Sequence, residues 1–202
     1  MTKFLFRLAV ASVVCLLSLS DANAQLRLGV GTTYGFDIYQ RYTNPKTLDE
    51  TEERSSGCAM NSLFLGPVVW LGSEKFSVSF EASANWGALA LDLQEYKGLG
   101  AFAFPLVGRL NFGGLSNLGE SDGFGFSLGA GVQYSKTEFY GLTKQFKDNT
   151  TRQFFRTIFL ELAIGSGDED STGSFFVRYG KGDNQAASLN IGAGVNLNFL
   201  HD

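Results

Sequence analysis

The chain has 202 residues with 16 Lys and Arg, 20 Asp and Glu and one His, so its formal net charge is −4. Charged residues make up only 18% of the sequence, whereas glycine contributes 25 residues, phenylalanine 19 and proline three. This composition excludes a collagen-like chain, a coiled coil, a disulfide scaffold and a disordered tail. It favours one domain built mainly from β-strands.

The N-terminal segment has the pattern of a secretory signal peptide. Lys3 and Arg7 supply the positive charge, and residues 8–19 form an apolar run that is too short to span a bilayer. Ala22-Asn23-Ala24 matches an A-x-A cleavage site, which predicts a signal peptide over residues 1–24. An uncleaved anchor helix is the alternative interpretation.

Cleavage would leave a mature chain that begins at Gln25 and has a net charge of −5, because Lys3, Arg7 and Asp21 are removed. An acidic chain of this kind gives no reason to expect a nucleic-acid partner. Cys58 would then be the only cysteine, so it is predicted to be a free thiol or to form an intermolecular disulfide.

Eight segments of the mature chain alternate apolar residues with small or polar ones at the period of two that is typical of β-strands. From Phe124 to Tyr134, every even residue is apolar and every odd residue is Gly, Ser or Gln. The segment 63–71 is apolar on both faces and contains Pro67, so its register stays open. The clearest segments are residues 26–38, 76–88, 124–135 and 188–199, and the weaker ones are residues 63–71, 102–112, 157–164 and 175–179.

The length and the two faces of these segments favour a barrel in a membrane. A strand tilted across a bilayer needs about 9–11 residues, apolar outward and polar inward. In lipid the sheet must close, because unpaired backbone groups are costly there, and eight strands leave a lumen that side chains fill. A lipocalin-like soluble barrel would place its apolar face inside. We therefore predict an all-β, eight-stranded antiparallel transmembrane up-and-down β-barrel.

The connections between the segments alternate in length, as expected for a barrel with long outer loops and short periplasmic turns. This alternation predicts that both termini face the periplasm. The connection 113–123 is longer than a periplasmic turn is expected to be. The longer set is residues 41–60, 93–99, 141–153 and 181–186, and the shorter set is residues 72–75, 113–123 and 166–172.

With these features the chain resembles the small outer-membrane β-barrels of the OmpA/OmpX-like kind over residues 25–202, without a peptidoglycan-binding domain. The resemblance implies a place in the bacterial outer membrane, in contact with its lipid and lipopolysaccharide. It also implies that the barrel-assembly machinery reads the terminal strand, where Val195, Leu197 and Phe199 match the family's alternating pattern with a final aromatic residue. The chain departs from that pattern by adding residues 200–202 after the aromatic residue.

Five charged residues have the parity of the inner face. In a narrow barrel, opposite charges at similar depth should pair, because an unpaired buried charge is costly. We therefore predict a paired network that closes the lumen below its middle, with separate hydration of each charge as the alternative. The five residues are Arg27, Glu81, Arg109, Glu161 and Arg178.

Two basic residues, Lys136 and Arg156, have the parity of the outer face and lie near the outer ends of neighbouring strands. One interpretation is that they bind lipopolysaccharide phosphates. The other is that the strands rise above the membrane into water at this point.

Residues that carry chemistry are scarce, and we expect no catalytic site, no metal site and no cofactor. The one histidine, His201, lies beside Asp202 at the end of the chain, which disfavours His-dependent hydrolysis. Residues 168–170 are acidic and are interpreted as a solvated turn, with weak calcium binding as the alternative. The acidic residues between 49 and 53 are interpreted as a hydrated part of the first outer loop or as a ligand-binding face.

The function that this reasoning favours is a non-enzymatic one. We expect structural support, adhesion or partner binding through the loops 41–60 and 141–153. A narrow channel for small solutes is the main alternative, and an outer-membrane enzyme is a third.

Overall fold

The computed structural model describes residues 26–45, 56–59, 62–92, 98–119, 123–141 and 153–200. The predicted signal peptide, the acidic residues between 49 and 53 and His201 lie outside the described residues. Within the described part of the chain, no helix has the length and hydropathy needed to cross a membrane.

The described residues form ten β-strands and one short 3₁₀ segment, Asp183–Gln185. β2 and β3 both pair with β1 and with β5, so together they form one interrupted strand of the barrel. β4 and β5 both pair with β3 and with β6, so they form a second interrupted strand. The strands are β1 (Arg27–Thr43), β2 (Ser56–Ala59), β3 (Ser62–Ser73), β4 (Phe76–Ala82), β5 (Ala84–Asp92), β6 (Gly98–Gly113), β7 (Gly123–Gly141), β8 (Phe155–Gly167), β9 (Ser171–Gly182) and β10 (Ala187–Asn198).

The sheet closes because β1 pairs with β3 on one edge and with β10 on the other. All pairings are antiparallel between successive barrel strands, which confirms the predicted eight-stranded up-and-down barrel. The Phe199 N–H donates to the Val30 carbonyl at 2.8 Å and extends the closing ladder by one residue. We call the end where β1 begins and β10 ends the turn end, and the opposite end the loop end.

The two faces of the wall are the reverse of those in a soluble barrel. On β8, Ile158 and Leu160 are 66% and 71% exposed, whereas Thr157 and Glu161 are buried. The same division holds along the other strands, as the period-two pattern predicts. Large apolar side chains therefore cover the outside, and small, polar and charged side chains fill the inside.

The register of β3, which its sequence left open, is decided by packing against β1. Trp70 points inward and Leu71 outward. The Trp70 ring lies over Gly29 and Gly31, where an added Cβ would stand only 3.1 and 3.0 Å from its carbons. The missing side chains of these two glycines make room for the indole inside the barrel.

A register shift in β1 between Asp37 and Tyr39 ends the regular alternation. Beyond it, Gln40 and Tyr42 are buried inside and Arg41 faces outward. The bulge thereby directs the Tyr42 side chain into the lumen at its loop end.

Candidate functional site

The centre of the lumen contains a chain of four ionised side chains. The Arg109 guanidinium binds Glu81 Oε2 through Nη1 at 2.5 Å and Glu161 Oε1 through Nε at 2.5 Å. Arg178 donates to Glu161 Oε2 from Nε at 2.9 Å and from Nη2 at 2.5 Å. The structure thus brings together four of the five predicted inner charges, in the order Glu81, Arg109, Glu161, Arg178.

The strand register explains why these four residues meet. Arg109 on β6 and Glu161 on β8 both lie opposite Gly129 on β7, and Glu161 lies opposite Arg178 on β9. Because Gly129 has no side chain, Arg109 reaches Glu161 across the strand between them. Glu81 lies opposite Val107, two residues from Arg109 on the same face.

The four side chains of this network are almost fully buried. The side chains of Glu81 and Glu161 are each 1% exposed, and those of Arg178 and Arg109 are 6% and 13% exposed. The Arg178 guanidinium also lies 4.6 Å from the ring centre of Phe159, a distance typical of a cation–π contact. Removing one partner would leave a charge without water or a counter-ion.

Arg27, the fifth predicted member, lies elsewhere. It is the first residue of β1 and sits at the rim of the turn end, opposite Gly72. Its Nη2 is 3.1 Å from Glu74 Oε1, and its Nη1 donates to the Leu118 carbonyl at 2.8 Å. Its position at the start of the strand separates it in depth from the central network.

Asp37 is an inner charge that the sequence reasoning overlooked. It is fully buried, and its Oδ2 accepts hydrogen bonds from Asn85 Nδ2 and, at 2.8 Å, from Asn190 Nδ2. Asp37 has an odd residue number, as does the inward Thr33, and this shared parity indicates an inward side chain. The same Asn190 amide donates to the Tyr42 hydroxyl at 3.0 Å.

An apolar cluster, which we call the loop-end cap, fills the lumen on the loop-end side of Asp37. Tyr42 is 1% exposed and packs in this cluster. The cap therefore lies between the polar interior and the loop end of the barrel. It consists of Tyr42, Ala90, Ala101, Ala103, Phe155 and Ala186.

Residues 114–119, which we call the turn-end plug, fill the lumen near the turn end. Leu115 and Leu118 are 5% and 3% exposed, because this segment folds back into the barrel. Leu118 packs on Val68 and Trp70. Leu115 packs in a cluster with Phe176. The unexpected length of the connection 113–123 is explained by this return into the lumen.

Hydrogen bonds from the wall hold the backbone of the turn-end plug. Ser77 Oγ donates to the Ser116 carbonyl at 2.7 Å, and Asn198 Nδ2 donates to the Asn117 carbonyl at 3.1 Å. Gly113 and Asn117 adopt left-handed φ values of 62° and 59°, which Gly and Asn tolerate best. These two residues let the chain reverse direction inside the barrel.

The two basic residues of the outer face have separate neighbours. The Lys136 amine lies 5.9 Å from the ring centre of Phe154. Arg156 is opposite Tyr134, and its Nη2 is 3.9 Å from Asp183 Oδ2 near the loop end. Both positions agree with the outward parity of the prediction.

Two residues of the predicted assembly signal, Val195 and Leu197, lie in β10, and Phe199 follows its last residue. Val195 and Leu197 are half-buried, and Phe199 is 62% exposed. Cys58 lies in β2, opposite Arg41 and Leu91.

The acidic turn at residues 168–170 binds its own backbone. Asp168 Oδ1 accepts the N–H of Asp170 at 3.0 Å and the N–H of Ser171 at 2.8 Å. Among the described residues, no group of three His, Cys, Asp or Glu side chains is placed to hold a metal ion.

Comparison with solved structures identifies the fold. The N-terminal β-barrel domain of Pseudomonas aeruginosa OprF superposes with a TM-score of 0.50 at 11% sequence identity, over 85% of this chain and 99% of that domain. The fold is that of a small outer-membrane β-barrel. Outer membrane protein OprG from Pseudomonas aeruginosa matches at a TM-score of 0.44 and 15% identity, over 86% of this chain and 96% of that one.

Neisserial surface protein A (NspA) matches this barrel at a TM-score of 0.47 and 10% identity, over 87% of this chain and 99% of that one. No protein-family model matches the sequence, and no characterised protein matches it at a significant level. The likeness is therefore one of barrel fold.

Proposed function

We propose that the protein is a non-conducting barrel of the bacterial outer membrane that acts without catalysis, through structural support, adhesion or binding at its loop end. The observation that carries this proposal is the filling of the lumen at three levels. The loop-end cap, the network of Glu81, Arg109, Glu161 and Arg178, and the turn-end plug follow one another along the axis.

The outer surface supports a place in lipid. Side chains such as Phe80, Leu160 and Phe175, which are 64%, 71% and 62% exposed, would be costly to expose to water in such numbers. In a bilayer the same surface is favourable, and the closed sheet leaves no backbone edge in contact with lipid.

The remaining space in the lumen favours the closed barrel over a narrow channel. The polar cavity between Asp37 and the turn-end plug measures about 30 Å³. A site needs roughly 10–15 Å³ of such space for one water molecule, so a cavity of this size has room for only two or three. So little space favours a closed lumen over a continuous conducting path.

The orientation and the surface partners belong to the same proposal. The termini at the turn end would face the periplasm, and the longer connections would face outward. Lys136 and Arg156 would meet lipopolysaccharide phosphates at the loop end, and the outward residues Val195, Leu197 and Phe199 would be read by the barrel-assembly machinery.

Planar-bilayer recording tests the closed lumen. We expect the purified, refolded barrel to give no steady conductance, while a porin reconstituted in the same bilayers serves as the positive control. Uniform single-channel steps from the wild-type barrel would replace this proposal by the channel alternative. Slower migration after boiling in detergent gels, together with membrane fractionation, tests the membrane barrel separately.

A further inference from the structure

Four basic residues lie on the outer face near the loop end of the barrel. Lys136 is in β7, Arg156 in β8, Lys181 in β9 and Arg41 in β1. Arg41 and Lys181 are exposed, Lys136 is half-buried, and the Arg156 side chain is 53% exposed. We call these four residues the basic belt. Two of them, Arg41 and Lys181, extend the pair that parity alone had indicated.

The register makes three members of the basic belt diagonal neighbours. Arg156 lies opposite Tyr134, two residues from Lys136 on the same face of β7. Lys181 lies opposite Ile158, two residues from Arg156 on the same face of β8. Diagonal neighbours of this kind are about 7–8 Å apart, within reach of long side chains. Each of the two neighbouring pairs can therefore converge on one anion.

The basic belt lies at nearly one depth, because its slope offsets the tilt of the strands. From β7 to β9 the belt steps toward the turn end. In the same direction, a row of directly paired residues rises toward the loop end, as expected in a barrel of tilted strands. One such row leaves β1 near the turn end and returns to it near the loop end. It consists of Val30, Val69, Phe80, Gly108, Ala130, Leu160, Tyr179, Leu189 and Arg41.

The depth of the basic belt is that of a lipid headgroup. On β8 the outward residues between Ser166 and Arg156 are all apolar. A tilted strand of this length rises roughly 25 Å, the height of the apolar band of an outer-membrane barrel. Tyr134 and Tyr179 are 44% and 50% exposed on the outer face, and tyrosine is enriched at the headgroup level. Arg156 therefore lies at the edge of the apolar band, not far above it in water.

The charge at this edge differs from that at the turn end. The outward residues of β8 and β9 at the turn end are Ser166 and Gly173, and the turn between them is acidic at residues 168–170. The acidic neighbour of Arg156 is Asp183, at 3.9 Å and with a side chain 90% exposed. Water screens such a pair, so it competes weakly with a phosphate. The basic belt thus offers a layer of phosphates a positive surface that the other edge of β8 and β9 does not offer.

Resting on the proposed place in the outer membrane, we propose that the basic belt binds the diphosphorylated headgroup of lipid A, the membrane anchor of lipopolysaccharide. One phosphate lies between Lys136 and Arg156, and the other lies between Arg156 and Lys181. The guanidinium of Arg156 suits this central place, because its planar set of donors can bind two anions at once. Arg41 continues the positive surface to β1, and the acyl chains lie along the apolar face.

The test is the thermal stability of the refolded barrel in phosphatidylcholine nanodiscs that contain lipid A, either diphosphorylated or with both phosphates removed. We expect the phosphates to raise the apparent Tm by about 5 °C, since basic residues near an anionic surface bind it. Arg156→Gln should lose at least half of this difference, because Arg156 contacts both phosphates. Lys181→Gln should lose a smaller part. The matched control, Lys75→Gln, removes an exposed charge at the turn end and should keep the difference.

Equal Tm values with and without the phosphates of lipid A would overturn the proposal. A full phosphate effect after Lys136, Arg156 and Lys181 are all replaced by Gln would also overturn it, as would an equal loss in Lys75→Gln. An equal rise in Tm from inorganic phosphate, in discs without lipid A, would assign the site to the free anion instead. An equal rise from phosphatidylglycerol would assign it to any anionic lipid, and either result would contradict a lipid A site.

Detergent gels of the wild type and of every variant separate this inference from the proposed function. A chain that migrates more slowly after boiling has formed its barrel, so a missing phosphate effect then counts against the basic belt alone. A wild-type chain that shows no such change in migration contradicts the membrane barrel itself.

Discussion

Arg109 and Glu161 form an ion pair across a strand to which neither belongs. Their side chains meet at 2.5 Å over Gly129, which lies opposite both residues on β7. An added Cβ at Gly129 would stand 3.2 Å from Arg109 Cγ, Glu161 Cβ and Val107 Cγ2. The pair that fills the lumen therefore depends on the absence of a side chain on the intervening strand.

Substitution of Gly129 by Val should weaken the network by crowding rather than by removing charge. We expect the free energy of unfolding to fall by about 1–3 kcal/mol, the usual cost of overpacking. Gly173→Val on β9 is the matched control, because the nearest atom to an added Cβ there is the Ser166 carbonyl oxygen at 4.0 Å. Urea unfolding of both variants in detergent gives the comparison, and equal losses would contradict the crowding argument.

The four-residue network should show strong energetic coupling. Glu81→Ala and Arg109→Ala should each cost about 3–5 kcal/mol, because each leaves a buried charge without its partner. The double variant should cost less than the sum of the two. Arg178→Ala combined with Glu161→Ala provides a second cycle. Strictly additive losses would mean that the charges are hydrated separately.

The comparison pair for these cycles is Arg156 and Asp183. Its atoms are 3.9 Å apart, and the side chains are 53% and 90% exposed. Water and salt screen a pair of this kind, so we expect no measurable coupling. Coupling as large as that between Glu81 and Arg109 would show that the method reports something other than burial.

The turn-end plug should contribute to both stability and closure. Leu118→Ala removes a buried side chain that packs on Val68 and Trp70, so we expect a loss of about 2–5 kcal/mol. Brief conductance events should appear in planar bilayers as the segment loosens. The control is Leu200→Ala, since Leu200 is 48% exposed. An effect on stability without any change in conductance would leave closure to the ion network and the loop-end cap.

Replacement of Lys136 and Arg156 by Ser tests the lipopolysaccharide contact. We expect thermal stability to fall further in lipopolysaccharide-containing membranes than in a simple detergent, because only the former supplies phosphates. Lys75→Ser, an exposed change in the turn between β3 and β4, is the control at the turn end. Equal losses in the two environments would remove the contact from the proposal.

An epitope tag inserted between β1 and β2, within residues 46–55, tests the orientation. β1 continues to Thr43 and β2 begins at Ser56, so this insertion avoids both strands. We expect labelling on intact cells, whereas a tag in the turn after Gly167 should be labelled only after lysis. The opposite pattern would reverse the topology.

The alternation of residues along the chain was sufficient to predict the barrel and the side of the wall on which most residues lie. A strand has a period of two, and a sheet that must satisfy its backbone in lipid has to close. The inward positions of Glu81, Arg109, Glu161 and Arg178 follow from parity alone. The inward position of Asp37 follows from the same rule.

The sequence could not indicate how deep in the barrel a residue lies or which distant residues pack together. Parity places Arg27 inside, but only the register of β1 against β3 puts it at the rim, away from Glu161. The inward face of β3 was decided by the fit of Trp70 over two glycines of β1.

The turn-end plug is the clearest case of a feature decided by tertiary structure. Leu115 and Leu118 lie in a Gly-rich connection whose local sequence indicates only a turn. They become buried because the surrounding wall offers an apolar surface and hydrogen-bond donors from strands far away in the chain, such as Ser77 and Asn198. Local patterns determine which face a residue takes, whereas closure of the barrel determines which residues meet inside it.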